Sequence, residues 1–252
     1  MPRAHRHFLP NHIWHITHRC HKKEFLLKFA KDRKNWMHWL YEAKKRYGLC
    51  VLNYIVTSNH IHLLVRDTTE NTIAKAMQLI ASQTAQAYNK RKNRNGAFWQ
   101  DRYHATAIDS EHYLIQCLVY IDINMVRAGV VQHPGDWLQS GYQEIQFPPA
   151  RYAIIDRQAL MQLTGINTFD QLQSAHRDWI KTRLLSEPGL REACWSESIA
   201  VGRQHYIESV QAELGHRAVG RHCINNEDKY CLKEPAVSYS NDLDAKKVGL
   251  SN

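Results

Sequence analysis

The chain has six cysteines, Cys20, Cys50, Cys117, Cys194, Cys223 and Cys231, but no C-x-x-C pair and no spacing that reads as a zinc site. That pattern argues against a disulfide framework and predicts reduced, intracellular thiols. No apolar run approaches the roughly 20 residues needed to cross a bilayer. The basic start, Met1-Pro2-Arg3-Ala4-His5-Arg6, has no apolar stretch behind it. Neither a membrane span nor a secretory leader is expected, and the expected location is cytoplasmic. Internal repeats and low-complexity tracts are missing as well. Acidic residues are in short supply, 24 Asp and Glu against 33 Lys and Arg, for a net charge of +9. Such a surplus favours a polyanionic partner, nucleic acid before membrane, although a basic soluble protein would meet the charge equally well. Seven Trp and twelve Tyr supply rings on which unpaired bases can stack.

Along the chain, His12 to Thr17 has the aromatic and β-branched composition of a strand. His12, His15 and His18 are three residues apart, which a strand divides between its faces, so they read as surface or satisfied polar residues. Asp32 to Tyr47 follows with Trp36, Trp39, Leu40 and Ala43 at helical spacing and Gly48 as a stop. Leu49 to Thr57 is a near-continuous apolar run of the buried-strand type. Ser58-Asn59 is a turn signal, and His60 to Val65 is the returning strand of a hairpin. A helix capped by Asn71 or Thr72 presents Ile73, Met77, Ile80, Thr84 and Ala87 on one face. Its end, Lys90-Arg91-Lys92-Asn93-Arg94, reads either as cations at the negative end of the helix dipole or as a phosphate-contacting patch. A turn at Phe98 to Tyr103 leads into a further strand. Ser110 then caps a helix with Leu114, Cys117, Leu118, Ile121 and Met125 toward the core and Ala128-Gly129 at its end. The order β-α-β-β-α-β-α predicts an α+β sandwich, with an antiparallel-containing sheet and helices on one face.

Pro148-Pro149 reads as a boundary. The expected division is a domain over 1–147, a mainly helical accessory region over 150–232 and a polar, disordered tail over 233–252. Within the accessory region, Thr168 and Gln171 form a capping-box pattern, Glu187-Pro188-Gly189 breaks a helix, and a second helix runs from about Arg203 to Leu214 with Gly215 as its stop.

The chemistry starts at His60-Ile61-His62. Residues two apart on a strand point the same way, so the two imidazoles can act as a metal clip. With 16 histidines in the chain, random placement yields about one H-x-H. There are two, the other being His5 and His7, so the motif needs support from its context. Two neutral imidazoles hold a divalent cation weakly without a third ligand. A helix over the sheet can deliver a ligand and a nucleophile together at i and i+4, and Tyr120 and Asn124 have that spacing. A phenol attacks a phosphodiester only if cations polarise the phosphate or stabilise phenoxide. Tyr103 and Tyr113 are rival nucleophiles, and Trp99 also reads as core.

The chain resembles the single-tyrosine HUH transposases (insertion-sequence-200-like), in particular the REP-associated tyrosine transposases. The likeness is carried by Asn59-His60-Ile61-His62-Leu63-Leu64-Val65 and Phe98-Trp99-Gln100-Asp101-Arg102-Tyr103-His104. It continues in Tyr120-Ile121-Asp122-Ile123-Asn124-Met125-Val126-Arg127-Ala128-Gly129-Val130-Val131 and His133-Pro134-Gly135-Asp136-Trp137. It covers roughly the first 145 residues; Trp195 to Gly202 resembles the C-terminal region of some members. The resemblance implies a ferredoxin-like fold acting on single-stranded or hairpin-forming DNA. It implies Tyr120 as nucleophile, a 5′-phosphotyrosyl intermediate, and His60, His62 and Asn124 as ligands of Mg²⁺ or Mn²⁺. Arg102, His104 and Arg127, with Lys90, Arg91, Lys92 and Arg94, are the candidate DNA contacts. A monomer is expected, with a homodimer left open. Two positions depart from the family pattern: Ser58 and Met125 stand where members commonly have proline. Proline after Asn124 would end the helix, whereas methionine lets it continue and shifts Asn124. A non-cleaving protein that binds DNA hairpins and a metal-dependent small phosphodiesterase are the competing readings.

Overall fold

The computed structural model describes residues 11–186, 189, 191–226 and 229–234. The His5/His7 pair, Glu187-Pro188 and the tail from 235 onward lie outside them. In order, the elements are β1 (Ile13–Arg19), α1 (Ala30–Tyr47), β2 (Cys50–Val56), β3 (His60–Arg66), α2 (Thr72–Lys92), β4 (His104–Ile108) and α3 (His112–Asp122). They continue as α4 (Asn124–Arg127), α5 (Gly141–Gln146), α6 (Arg157–Thr164), α7 (Phe169–Ser186), α8 (Cys194–Glu197), β5 (Ala200–Gly202), α9 (Gln204–Leu214), β6 (His222–Asn226) and β7 (Lys229–Lys233).

The β-α-β-β-α-β order builds the antiparallel sheet β2-β3-β1-β4, the ferredoxin-like arrangement expected. Gly48 ends α1 in the left-handed region at φ 67°, as its position promised. Asn71 occupies the N-cap of α2 at φ 65°, but its side chain makes no cap bond; Thr69 and Thr72 instead share a hydroxyl–hydroxyl bond of 2.6 Å. Residue alternation sorts the two faces. Ile61, Leu63 and Val65 of β3 point to one and His60 and His62 to the other. Trp14, Ile16 and His18 of β1 share the first face. There Trp99 stacks on His18 with ring centroids 4.1 Å apart and donates from its indole nitrogen to Ala81 O of α2. Helices α1 and α2 pack together on this side.

The sequence reading placed helices on one face only, and the structure corrects that. The His60/His62 face is covered by α3, α4 and α8. A strand as buried as β3, in which Leu63, Leu64 and Val65 are all fully enclosed, needs a layer on each side. The accessory region is mainly helical, as expected, and also contributes strands. Its β5 pairs in parallel with β4, and β7 and β6 follow, extending the sheet to seven strands in the order β2-β3-β1-β4-β5-β7-β6. One apolar core runs through both regions, with Trp195 fully buried in it. Gly202 allows this docking, because a Cβ there would lie 2.4 Å from Cβ of Asp109.

A buried polar cluster ties α7 to α3. His176 and Asp122 are both fully enclosed, with Nε2 to Oδ2 at 2.7 Å. Gln146 Nε2 lies 2.9 Å from His176 Nδ1, so Nδ1 accepts and the ring gives its hydrogen to the carboxylate. Asn53 Nδ2 donates to the other carboxylate oxygen at 3.0 Å. Replacing His176 with leucine leaves Asp122 buried with one partner fewer. Urea unfolding should show a loss of about 3 kcal/mol, and the double variant His176→Leu/Asp122→Leu should recover part of it.

Candidate active site

The His60/His62 face opens into a cleft of about 550 Å³. Its walls include Thr17 and Arg19 of β1, His60 and His62 of β3, and Arg102 and His104. Tyr120, Asn124, Arg127, Arg191 and Ser196 also line it, together with the carboxylates of Asp101 and Glu197. Strand β3 presents both histidines from one side. Helix α3 stops at Asp122, Ile123 sits at φ −80°, ψ 5°, and α4 restarts at Asn124. The continuous helix expected with Met125 is therefore not formed. Asn124 nevertheless faces His62, with Nδ2 3.0 Å from Nε2.

Each histidine is fixed by its neighbours. Asn59 donates from Nδ2 to Lys23 O at 3.2 Å, which turns its Oδ1 to His60 Nδ1 at 2.7 Å. A carbonyl oxygen only accepts, so His60 Nδ1 carries the hydrogen and Nε2 is bare. Burial, reinforced by the cations of Arg19, Arg127 and Arg191, lowers the His60 pKa to about 4. Burial, with His15 and His60 close by, holds His62 well below its ordinary value. Both rings are thus neutral at physiological pH, the form a metal ligand requires. Among the described residues no three His, Cys, Asp or Glu groups converge on one ion position. A metal held here by His60 and His62 would take its remaining ligands from outside that set: the amide oxygen of Asn124, water or substrate.

Tyr120 lies beside them. Its ring meets His62 edge-on at 5.8 Å and His15 at 6.0 Å. The Arg127 guanidinium covers its face at 4.1 Å from the ring centre. Burial raises the phenol pKa, while Arg127 and a hydrogen bond with the Ser196 hydroxyl pull it back. The rivals are elsewhere: Tyr103 meets His18 on the opposite sheet face, and Tyr113 does not line the cleft.

Arg102, His104 and Arg127 line the cleft. His104 is bound to Ser198 O at 2.9 Å. Lys90, Arg91, Lys92 and Arg94 do not reach the cleft. Arg91 pairs with the buried Asp32, Arg94 with Glu24 at 3.6 Å, and Lys92 lies over the Phe29 ring. The structure thus separates the basic helix end from the His-Tyr site. Sequence reasoning missed His15, Arg191 and Ser196. His15 was read as a surface or satisfied polar residue. It is the second, fully buried with its ring bonded to Trp195 O and to His62, and its place behind the site is what the spacing did not show. Ser196 stood inside the Trp195–Gly202 resemblance without a role.

Residues 9–124 match the model of a transposase family described as IS200-like. The matched stretch contains His60, His62, Tyr120 and Asn124. A solved structure of a REP-associated tyrosine transposase bound to a REP hairpin is similar to this chain, with a TM-score of 0.50 and 18% identity. It covers 62% of this chain and 94% of that one. A crystal structure from Deinococcus radiodurans R1, assigned there as a transposase, matches with a TM-score of 0.34 and 18% identity over 47% of this chain and 95% of that one. No curated protein matches the chain. No described helix is long and apolar enough to cross a membrane.

The buried histidines make stability pH-dependent. His15 is held down to about 3 by burial and His60 to about 4, against an unfolded value near 6.5. The unfolded chain takes up protons that the folded one refuses, so their contribution is complete above pH 6.5 and is lost as pH falls through that value toward 4 and 3. Urea unfolding from neutral pH to about pH 5 should show declining stability. The variant His15→Phe should reduce the slope by roughly 1.4 kcal/mol per pH unit.

Proposed function

Starting from a chain whose residues 9–124 match the IS200-like transposases, we propose that it cleaves and rejoins single-stranded DNA at hairpin or palindromic repeat ends. Tyr120 is the nucleophile. The observation that carries this is the meeting of Tyr120, His60, His62 and Asn124 in one cleft, with Asn124 3.0 Å from His62. The hairpin held by the similar REP-associated transposase makes hairpin DNA the substrate class to test.

Arg19, Arg102, Arg127 and Arg191 line the cleft. The guanidinium forks of the first three can take the phosphate backbone directly, while Arg191 is paired with Glu197 at 2.7 Å and would have to exchange that partner. Arg127 has a second part, since its charge over the Tyr120 ring favours phenoxide as the phenol loses its proton. The phenolate oxygen bonds to phosphorus and the bond from phosphorus to the 3′ oxygen breaks. That oxygen takes up a proton and leaves a 5′-phosphotyrosyl enzyme. Attack by a 3′-hydroxyl reverses the exchange and frees Tyr120, so one phosphodiester replaces another and no nucleotide triphosphate is consumed. His60, His62 and Asn124 would hold Mg²⁺ or Mn²⁺, which when bound polarises the phosphate and stabilises the leaving oxygen. The cytoplasm, where thiols stay reduced, suits a chain whose described cysteines are all free.

The full chain incubated with labelled single-stranded hairpin DNA and Mn²⁺ should yield a DNA–protein adduct that survives SDS. Tyr120→Phe should abolish it, while Tyr103→Phe and Tyr113→Phe keep it. Adduct yield should fall steeply with added salt, as expected for an arginine-lined phosphate track. A wild-type protein that binds the hairpin without forming an adduct is a hairpin-binding protein and not a strand transferase. Adduct formation by Tyr120→Phe would remove Tyr120 as nucleophile.

A further inference from the structure

His15 has no place in the chemistry above, yet it is fully buried at the back of the site. Both of its ring nitrogens are engaged. Nδ1 lies 2.7 Å from the backbone carbonyl of Trp195, and Nε2 lies 2.8 Å from Nδ1 of His62. The two rings are nearly parallel, 13° apart, with centroids at 5.0 Å.

A carbonyl oxygen only accepts, so Nδ1 of His15 carries a hydrogen. A neutral imidazole has one hydrogen, which leaves Nε2 of His15 as an acceptor. The hydrogen between the two rings therefore belongs to Nδ1 of His62, and Nε2 of His62 keeps its lone pair. The far end of the line is consistent with this: the group 3.0 Å from His62 Nε2 is the amide nitrogen of Asn124, a donor that needs a lone pair to point at. We propose that His15 is a positioning residue that locks His62 in the Nδ1–H tautomer, so that its bare Nε2 faces Asn124 and the cleft. The consequence for a metal rests on the reading of the cleft given above; the tautomer itself does not.

The device is matched at His60, where Asn59 performs the same service on Nδ1. The two partners differ in origin. Asn59 is adjacent to His60 in sequence. His15 is 47 residues from His62 and is itself oriented by a carbonyl 180 residues further along, in the C-terminal region. Outer partners that orient an imidazole typically change metal affinity by about 10- to 100-fold when removed.

The test uses long-range proton–nitrogen spectra of the metal-free, nitrogen-15-labelled full chain, with His62 identified by the signals lost in His62→Asn. In wild type, Nδ1 of His62 should show the protonated signature and Nε2 the bare one. His15→Phe keeps the ring's bulk but provides no acceptor, and should move His62 to the Nε2–H form or a mixture. His15→Gln restores an acceptor near the Nε2 position and should return it to Nδ1–H. Unchanged His60 signals report that the variants are folded. Calorimetric titration with Mn²⁺ alone should show affinity weakened about 10- to 100-fold in His15→Phe and largely restored in His15→Gln. A wild-type His62 protonated on Nε2 overturns the proposal, whether or not any variant folds; so does a folded His15→Phe with the Nδ1–H form intact. A locked tautomer in a protein that forms no DNA adduct leaves the positioning role standing and removes the strand-transfer reading.

Discussion

The site depends on a buried line of hydrogen bonds that runs from the Trp195 carbonyl through His15 and His62 to the amide of Asn124. Its four members come from α8, β1, β3 and α4, which are far apart in sequence and adjacent only in the fold. Away from water each polar group must find a partner, and an unpaired one costs on the order of 1–3 kcal/mol. The orientation of one ring is thereby tied to the seating of the C-terminal region. Trp195 anchors that seating by filling the core with its side chain while its carbonyl orients His15. Beneath α3, the His176–Asp122–Asn53 cluster binds the helix that carries Tyr120 to α7 and to β2. Packing and polar satisfaction therefore act on the same few elements.

Charge is divided between two regions that the composition alone merges. The cations at the end of α2 are largely spent on structure: Arg91 on Asp32, Arg94 on Glu24 and on the turn that follows. Those in the cleft come from β1, from the stretch before β4, from α4 and from the segment ahead of α8. Four arginines from four places on the chain gather where the buried histidines stay uncharged. Asp101 and Glu197 line the same cleft, and Arg191 pairs with Glu197 at 2.7 Å.

Much of the fold was legible because it rests on local rules. Alternation in β3, the 3.6-residue period of α1 and α2, and Gly48 as a left-handed stop each act within a few residues. The capping box of Thr168 and Gln171 formed as its spacing indicated. The strands β5 to β7 were not legible. Ala200–Gly202 is only three residues long, and its pairing with β4 is a contact across about ninety residues that no local period announces. The break at Ile123 was hidden too. Methionine at 125 permits a continuous helix, yet the helix is interrupted at Ile123.

The sequence by itself offered the candidate side chains and their local relations: His60 with His62 on one face of a strand, and Tyr120 four residues from Asn124 on backbone that the structure interrupts at Ile123. Those relations follow from backbone periodicity, which spacing alone reveals. Only the tertiary structure decided that His15, read as a surface or satisfied polar residue, is buried behind His62, that Ser196 reaches Tyr120, and that the Lys90–Arg94 run lies outside the cleft. Which polar groups become partners is settled by long-range packing that removes water between them, and a linear spacing carries no record of that distance.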